Sequence, residues 1–270
     1  MTAAARLALV VLPALAACAP SRPILVQPTP LAPLTDSRLA VAAQGTDLGV
    51  GGFVVAGPVR PLDVYAFGAE IGTPQSVQDA SGRTVERGRY AETGVGIRAT
   101  ARDADGSWLS VSLEGGRGTT EGAGAIPSGR ERCGLFFCDE APLGQYTADA
   151  TRGGVIGAIG TSRPIPPLIG TAPGEVAVAG VVRYDRRWLR DVMAEPFGPE
   201  PLPAVPSTRM VQTVGWGVVV QLRQEAFAAE LQVQSAGRLG GADELGVRST
   251  LATVGVVLEL GRARARCARP

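Results

Sequence analysis

Hydrophobic and polar residues alternate with a period of two along most of this chain. Between residues 214 and 222, for example, Val214, Trp216 and Val218 are separated by glycines. Such alternation is typical of β-strands whose two faces meet different surroundings. It predicts an all-β protein, an antiparallel β-barrel of about eight to ten strands. Strands are predicted at 38–45, 48–57, 62–72, 89–102, 106–117, 148–161, 174–186, 208–223, 225–236 and 249–260, and one short helix at Arg186–Ala194.

The predicted connections alternate between short and long. Tight turns are predicted at 103–106 and 224–225. The long polar stretches are 73–88, 118–147, 187–207 and 237–248. This alternation resembles that of small outer-membrane β-barrels, which have short periplasmic turns and long outer loops. Ten strands would place both termini on the periplasmic side.

Prolines cluster ahead of the first predicted strand. Pro20, Pro23, Pro28, Pro30 and Pro33 lie close together, and such a segment favours an extended polyproline II conformation. We therefore expect a tether before the barrel. The predicted layout is a signal peptide over 1–17, a Pro-rich linker over 18–36, the β-barrel over 37–261 and a basic tail over 262–270.

The N-terminus carries an export signal. Arg6 precedes an apolar run over 7–15, which is typical of a signal peptide. The following Leu15-Ala16-Ala17-Cys18 resembles the lipobox of bacterial lipoprotein precursors; the alternative is ordinary signal-peptide cleavage beside an incidental cysteine. The resemblance implies that Cys18 is acylated, with palmitate among its acyl groups. Since Ala19 rather than Asp follows, it also implies an outer-membrane location.

The amino-acid composition limits the catalytic and metal-binding chemistry that the chain can carry. The chain has no His and no Lys, which removes the usual near-neutral general base and the commonest metal ligand. We therefore predict a non-enzymatic protein with no metal and no cofactor. Removing Arg6 with the signal peptide leaves 25 basic and 25 acidic residues, and a neutral chain has no general attraction to nucleic acid.

The cysteines downstream of Cys18 predict one local crosslink. Cys133 and Cys138 lie five positions apart in a Gly-rich stretch, and disulfides persist in exported proteins. We predict a disulfide between them, within the long loop 118–147. Cys267 has no predicted partner.

Two interpretations of the strand faces remain open. In a membrane barrel the apolar face meets lipid, and the polar face lines the lumen with a paired charge network. The predicted network comprises Glu70, Glu92, Arg98, Glu114, Arg223, Glu230 and Glu259. In the alternative, a lipid-tethered soluble periplasmic domain resembling a lipocalin binds a small apolar ligand inside.

The main prediction is an outer-membrane lipoprotein with a structural or interaction role in the cell envelope. Loops 118–147 and 187–207 are its predicted contact surfaces for an envelope protein partner, because long loops on rigid scaffolds carry recognition. Glu92 and Glu114 lie on neighbouring strands and are compatible with an acid–base pair. The structural interpretation, in which they balance arginines, is favoured.

Overall fold

The computed structural model describes residues 24–35, 38–46, 49–59, 61–73, 76–78, 84–86, 88–125, 143–199, 201–202, 204, 206–239, 246–247 and 250–260. Cys18, Cys133, Cys138 and the basic tail 262–270 lie outside these residues. No α-helix within the described ranges is long and apolar enough to cross a membrane.

Ten antiparallel strands form a closed barrel, which confirms the predicted fold class. Each strand pairs with its neighbours along the chain, and the last pairs with the first. The strands are β1 Leu39–Thr46, β2 Gly49–Val59, β3 Leu62–Gly72, β4 Arg89–Arg102, β5 Ser107–Ala125, β6 Leu143–Ile165, β7 Gly174–Pro196, β8 Arg209–Gln224, β9 Phe227–Arg238 and β10 Thr250–Leu260.

The two ends of the barrel differ in the length of their connections. Residues 60–61, 103–106, 166–173 and 225–226 join strands at one end, which we call the short-turn end. The longer connections 73–88, 126–142, 197–208 and 239–249 lie at the other, the long-loop end, together with the short link 47–48. β1 begins and β10 ends at the short-turn end, as an even number of strands requires.

Strands β5, β6 and β7 are longer than predicted, so parts of the expected loops 118–147 and 187–207 are strand. The helix predicted at Arg186–Ala194 is wrong, because these residues continue β7 past a β-bulge near Asp191. Arg187 and Leu189 point inward and are almost fully buried, while Arg190 on the other face is exposed. Polar residues on both faces concealed the period of two here.

The turn at Asp103–Gly106 is held by its own side chains. The Asp105 carboxylate accepts hydrogen bonds from the backbone N–H and the hydroxyl of Ser107. These bonds lower the pKa of Asp105. Gly106 has a φ of 90°, and a Cβ there would lie 2.4 Å from the carbonyl oxygen of Ser162, so glycine is required.

A band of apolar side chains covers the outside of the barrel. Ile159, Trp216 and Val254 are 67%, 66% and 63% exposed, and similar side chains occur on every strand of the barrel. On β8 the apolar outward positions run from 214 to 222. Nine residues at about 3.3 Å each, in a strand tilted by ~40°, rise about 23 Å, close to the height of a membrane barrel's apolar band.

Strands β5, β6 and β7 extend beyond this band at the long-loop end. On β6 the outward residues next to the band are Gln145, Thr147, Asp149 and Thr151, all polar or charged, and the exposed apolar side chains of this region are Leu143 and, on β7, Met193. This part of the barrel forms a polar wall, made of residues 116–125, 143–152 and 186–196. The apolar band is therefore bounded by polar surface on this side.

Candidate functional site

The charged residues of the barrel meet in its interior. Arg152 on β6 donates from Nε to Glu92 at 2.7 Å, and from Nη1 to Glu114 at 2.8 Å and to Asp185 at 3.0 Å. The Arg152 and Glu92 side chains are fully buried, and those of Glu114 and Asp185 nearly so. One guanidinium thus joins three carboxylates from three strands.

Two further arginines of β7 balance these carboxylates. Arg183 donates from Nε to Asp185 at 2.6 Å and from Nη2 to Glu114 at 3.1 Å. Arg187 lies over the ring of Tyr90, with its guanidinium carbon 4.9 Å from the ring centre. We call Glu92, Glu114, Arg152, Arg183, Asp185 and Arg187 the central ion cluster. Its three acids and three arginines balance, as burial in a low dielectric demands.

Tyrosines complete the hydrogen bonding of the carboxylates. The Tyr65 hydroxyl donates to Glu114 at 2.8 Å, and the Tyr90 hydroxyl donates to Glu92 at 2.8 Å. Tyr65 belongs to β3, whose aromatic face points inward rather than outward. Its position depends on glycine, because a Cβ on Gly96 would lie 2.3 Å from the Tyr65 ring.

The Gly96→Ala variant is therefore expected to lose about 1–3 kcal/mol of stability through overpacking. Tyr65 cannot move aside without breaking its bond to Glu114. Unfolding in urea, followed by the gel-mobility difference between folded and unfolded barrel, measures the loss. Gly157→Ala is the control, since nothing lies within 4 Å of its Cβ position. In a Tyr65→Ala background the Gly96 substitution should cost little, and an unchanged cost would contradict this packing.

A second polar cluster lies nearer the short-turn end. Glu230 accepts hydrogen bonds from the amides of Gln44 at 3.1 Å, of Gln221 at 3.2 Å, and of Gln232. Arg223 donates to Gln221 at 2.6 Å. We call Gln44, Gln221, Arg223, Glu230, Gln232, Gln234 and Glu259 the amide cluster, since glutamine side chains dominate it.

The lumen also contains the chain's own N-terminal segment. Residues 25–35, expected to form a tether outside the barrel, are buried or half-buried within it. At the long-loop end Leu25 and Val26 pack among Tyr146 and Leu189. Further along, Leu31 packs against apolar side chains of β5, β6, β7 and β8. We call residues 24–35 the threaded segment.

Donors of the barrel wall satisfy the carbonyl groups of the threaded segment. Arg183 donates to the Thr29 carbonyl at 2.7 Å, and Arg98 donates to the Pro33 carbonyl at 3.0 Å. The Gln232 amide donates to the Leu31 carbonyl and accepts from the Leu31 N–H, both at 3.0 Å. Proline offers a carbonyl but no N–H, so a proline-rich chain suits a lumen rich in donors.

The structure places the residues of the predicted charge network as follows. Glu92 and Glu114 belong to the central ion cluster. Arg98 is buried against Asp63, and Arg223, Glu230 and Glu259 are buried in the amide cluster. The prediction for Glu70 is corrected: it lies on the outer face, half exposed, and pairs with Arg89. The reason is that β3 turns Tyr65 and Phe67 inward, which sends the intervening positions outward.

Sequence reasoning missed the arginines at the centre of the lumen. Arg152, Arg183 and Asp185 occupied predicted strands, and the pair at 183 and 185 shares one face with Ala179 and Val181. That shared face was a usable signal. The burial of the threaded segment also had a signal in the sequence. Residues 24–35 carry no charge, whereas a solvated tether is typically rich in charged residues.

Fold and site together define a closed β-barrel with an apolar exterior and a charged lumen filled by its own chain. No protein-family model and no curated protein sequence matches this chain. A solved structure, the β domain of the Bordetella autotransporter BrkA, aligns over 83% of this chain and 100% of that one. The TM-score is 0.31 and the identity 10%, and so slight a similarity supports no functional conclusion.

Proposed function

We propose that this chain is an outer-membrane lipoprotein whose barrel spans the membrane and serves a structural or interaction role in the cell envelope, without enzymatic activity. The observation that carries the proposal is the inverted distribution of polarity. Apolar side chains form the outer band, whereas the ions lie inside in pairs. A bilayer accepts that surface, and the lumen shields those charges from lipid.

The contents of the lumen argue against the soluble, lipocalin-like alternative. It requires an apolar cavity for a ligand and a polar outer face. Instead the interior holds Arg152 with its carboxylates and is occupied by the threaded segment. In water the outer band would expose far more contiguous apolar surface than the few hundred Å² found on soluble monomers.

The orientation follows from the connections. Membrane barrels of bacteria have short periplasmic turns and long outer loops. The short-turn end of this barrel, with the end of β10, therefore faces the periplasm, and the polar wall faces outward. Acylation of Cys18, with palmitate among the chains, is the lipid signal that accompanies the barrel.

A structural or interaction role is supported by the ion pairs of the buried carboxylates. Glu92 and Glu114, the acid–base candidates, are both bound by Arg152. The described ranges hold no group of three metal-ligating side chains. Recognition of an envelope protein partner is assigned to the long-loop end, where the Cys133–Cys138 bridge would brace residues 126–142.

The test uses a Cys18→Ser variant exported by a conventional signal peptide, so that no acyl chain holds it. We expect it to remain in outer-membrane pellets after an alkaline carbonate wash, with heat-dependent gel mobility. Adding Val218→Arg at the middle of the apolar band should cost about 2–4 kcal/mol and reduce the membrane-inserted fraction. Thr147→Arg, on the polar wall opposite Glu121, is the matched control and should have no effect. Release of the Cys18→Ser variant into the soluble fraction would overturn the proposal.

A further inference from the structure

The direction of the threaded segment is fixed by its contacts at both ends of the lumen. Ile24–Val26 pairs with Gly246–Val247, which lies in the connection between β9 and β10 at the long-loop end. Thr120, near the end of β5, donates to the Leu25 carbonyl at 2.7 Å. The chain therefore enters the lumen from the long-loop end.

The other end of the threaded segment lies near the short turns. Arg223 and Gln221, just before the turn at 225–226, donate to the Leu34 carbonyl at 2.7 Å and 3.0 Å. From there the chain enters β1. The segment thus crosses the barrel from the long-loop end to the short-turn end, so its two ends lie at opposite ends of the lumen.

Chain length then decides on which side Cys18 lies. Twelve residues, 24–35, cross the lumen, and in an extended conformation they cover about 37 Å. Cys18 is six residues before Ile24, and six residues reach at most about 22 Å. They cannot retrace the lumen, which the threaded segment already fills. Cys18 must therefore remain on the long-loop side.

We infer that the acyl chains on Cys18 enter the outer leaflet of the outer membrane, so that the barrel displays its own lipidated N-terminus on the cell surface. This inference rests on the proposed function, which supplies the lipid and the orientation. It reverses the expectation that both termini lie on the periplasmic side. That expectation was based on the number of strands alone and did not include the threaded segment, which crosses the lumen before β1.

The barrel rim allows this exit toward lipid. β1 ends at Thr46 and β2 begins at Gly49, so this hairpin does not take part in the polar wall. Thr46 pairs with Thr253, next to the outward-facing Val254 of the apolar band. On this side the rim lies close to the edge of the band. A reach of about 22 Å from Ile24 is sufficient for an anchor that passes over such a rim.

Surface labelling tests the inference. Single cysteines are introduced by Ser21→Cys, Ser207→Cys and Ala104→Cys into a chain whose Cys133, Cys138 and Cys267 are replaced by serine. Cys18 is kept, because its acylated thiol does not react. Intact cells are treated with a maleimide polymer too large to pass porins, and each variant is first checked for heat-dependent gel mobility. Ser21→Cys and Ser207→Cys should react on intact cells, and Ala104→Cys only after lysis.

The outcomes separate the inference from the proposed function. Protection of Ser21→Cys while Ser207→Cys reacts would place the N-terminus in the periplasm and overturn the inference alone. Protection of both would show that the long-loop end is not outside, and the proposed function would fail together with the inference. Reaction of Ala104→Cys on intact cells would contradict the assigned orientation and overturn both.

Discussion

Deletion of residues 25–35 is expected to convert a closed barrel into a conducting one. These residues occupy the lumen along its length, and their carbonyl groups accept hydrogen bonds from Arg98, Arg183 and Gln232. Without them, a column the width of an extended chain, lined by arginine and glutamine, becomes available to water and ions. Purified full-length protein in planar bilayers should show no discrete currents, whereas the deletion variant should show stepwise conductance.

The control for this deletion keeps the length of the chain. A variant in which residues 25–35 are replaced by glycine and serine retains a segment ahead of β1 but loses Leu25, Val26 and Leu31, which pack against the barrel wall. It should conduct in short openings, since nothing apolar holds the segment in place. A deletion variant that keeps its heat-dependent mobility and remains silent would show that the wall alone closes the lumen.

Replacing Arg152 by Met is expected to be the most destabilising single substitution in the barrel. Glu92, Glu114 and Asp185 all accept hydrogen bonds from this guanidinium. Arg183 still binds Glu114 and Asp185, but three buried carboxylates then face two arginines, and an uncompensated buried charge typically costs about 3–5 kcal/mol. Urea titration of the refolded protein in detergent or vesicles, read by gel mobility, should show the lower midpoint.

Arg186→Met is the matched control for this substitution. Arg186 is on the outer face of β7, exposed, and stacked on Trp188 at 5.1 Å. Its loss should cost less than about 1 kcal/mol. Adding Glu92→Gln to Arg152→Met should recover part of the stability, because two carboxylates then again face two arginines. An unchanged midpoint for Arg152→Met would mean that the central ion cluster is not desolvated.

The sequence predicted the barrel well because its central strands alternate strictly. Val214, Trp216 and Val218 face outward, as a period of two requires, and their glycine neighbours face the lumen. The prediction failed on β3, where Glu70 was assigned to the lumen and Tyr65 and Phe67 fill it instead. An aromatic ring can face lipid or fill a lumen, and only Gly94 and Gly96 on the neighbouring strand show which.

The central ion cluster was only half predictable for a related reason. Glu92 and Glu114 could be selected from their positions on adjacent strands, but their shared partner Arg152 lies 38 residues after Glu114. The pairing depends on strand register, and a one-residue slip would turn Arg152 outward. The threaded segment was not predictable from its prolines, because polyproline geometry is the same in water as inside a barrel.

The threaded segment also dictates an order of assembly. The seam between β10 and β1 closes the ring, and the chain that leads into β1 lies inside that ring. An N-terminal segment drawn through a finished lumen would have to pass the central ion cluster, so the segment must be in place while the sheet is still open. Closing the seam then traps it. The ring accordingly closes only after the segment is in place, and a chain synthesised from its N-terminus carries the future core of its barrel before any wall exists.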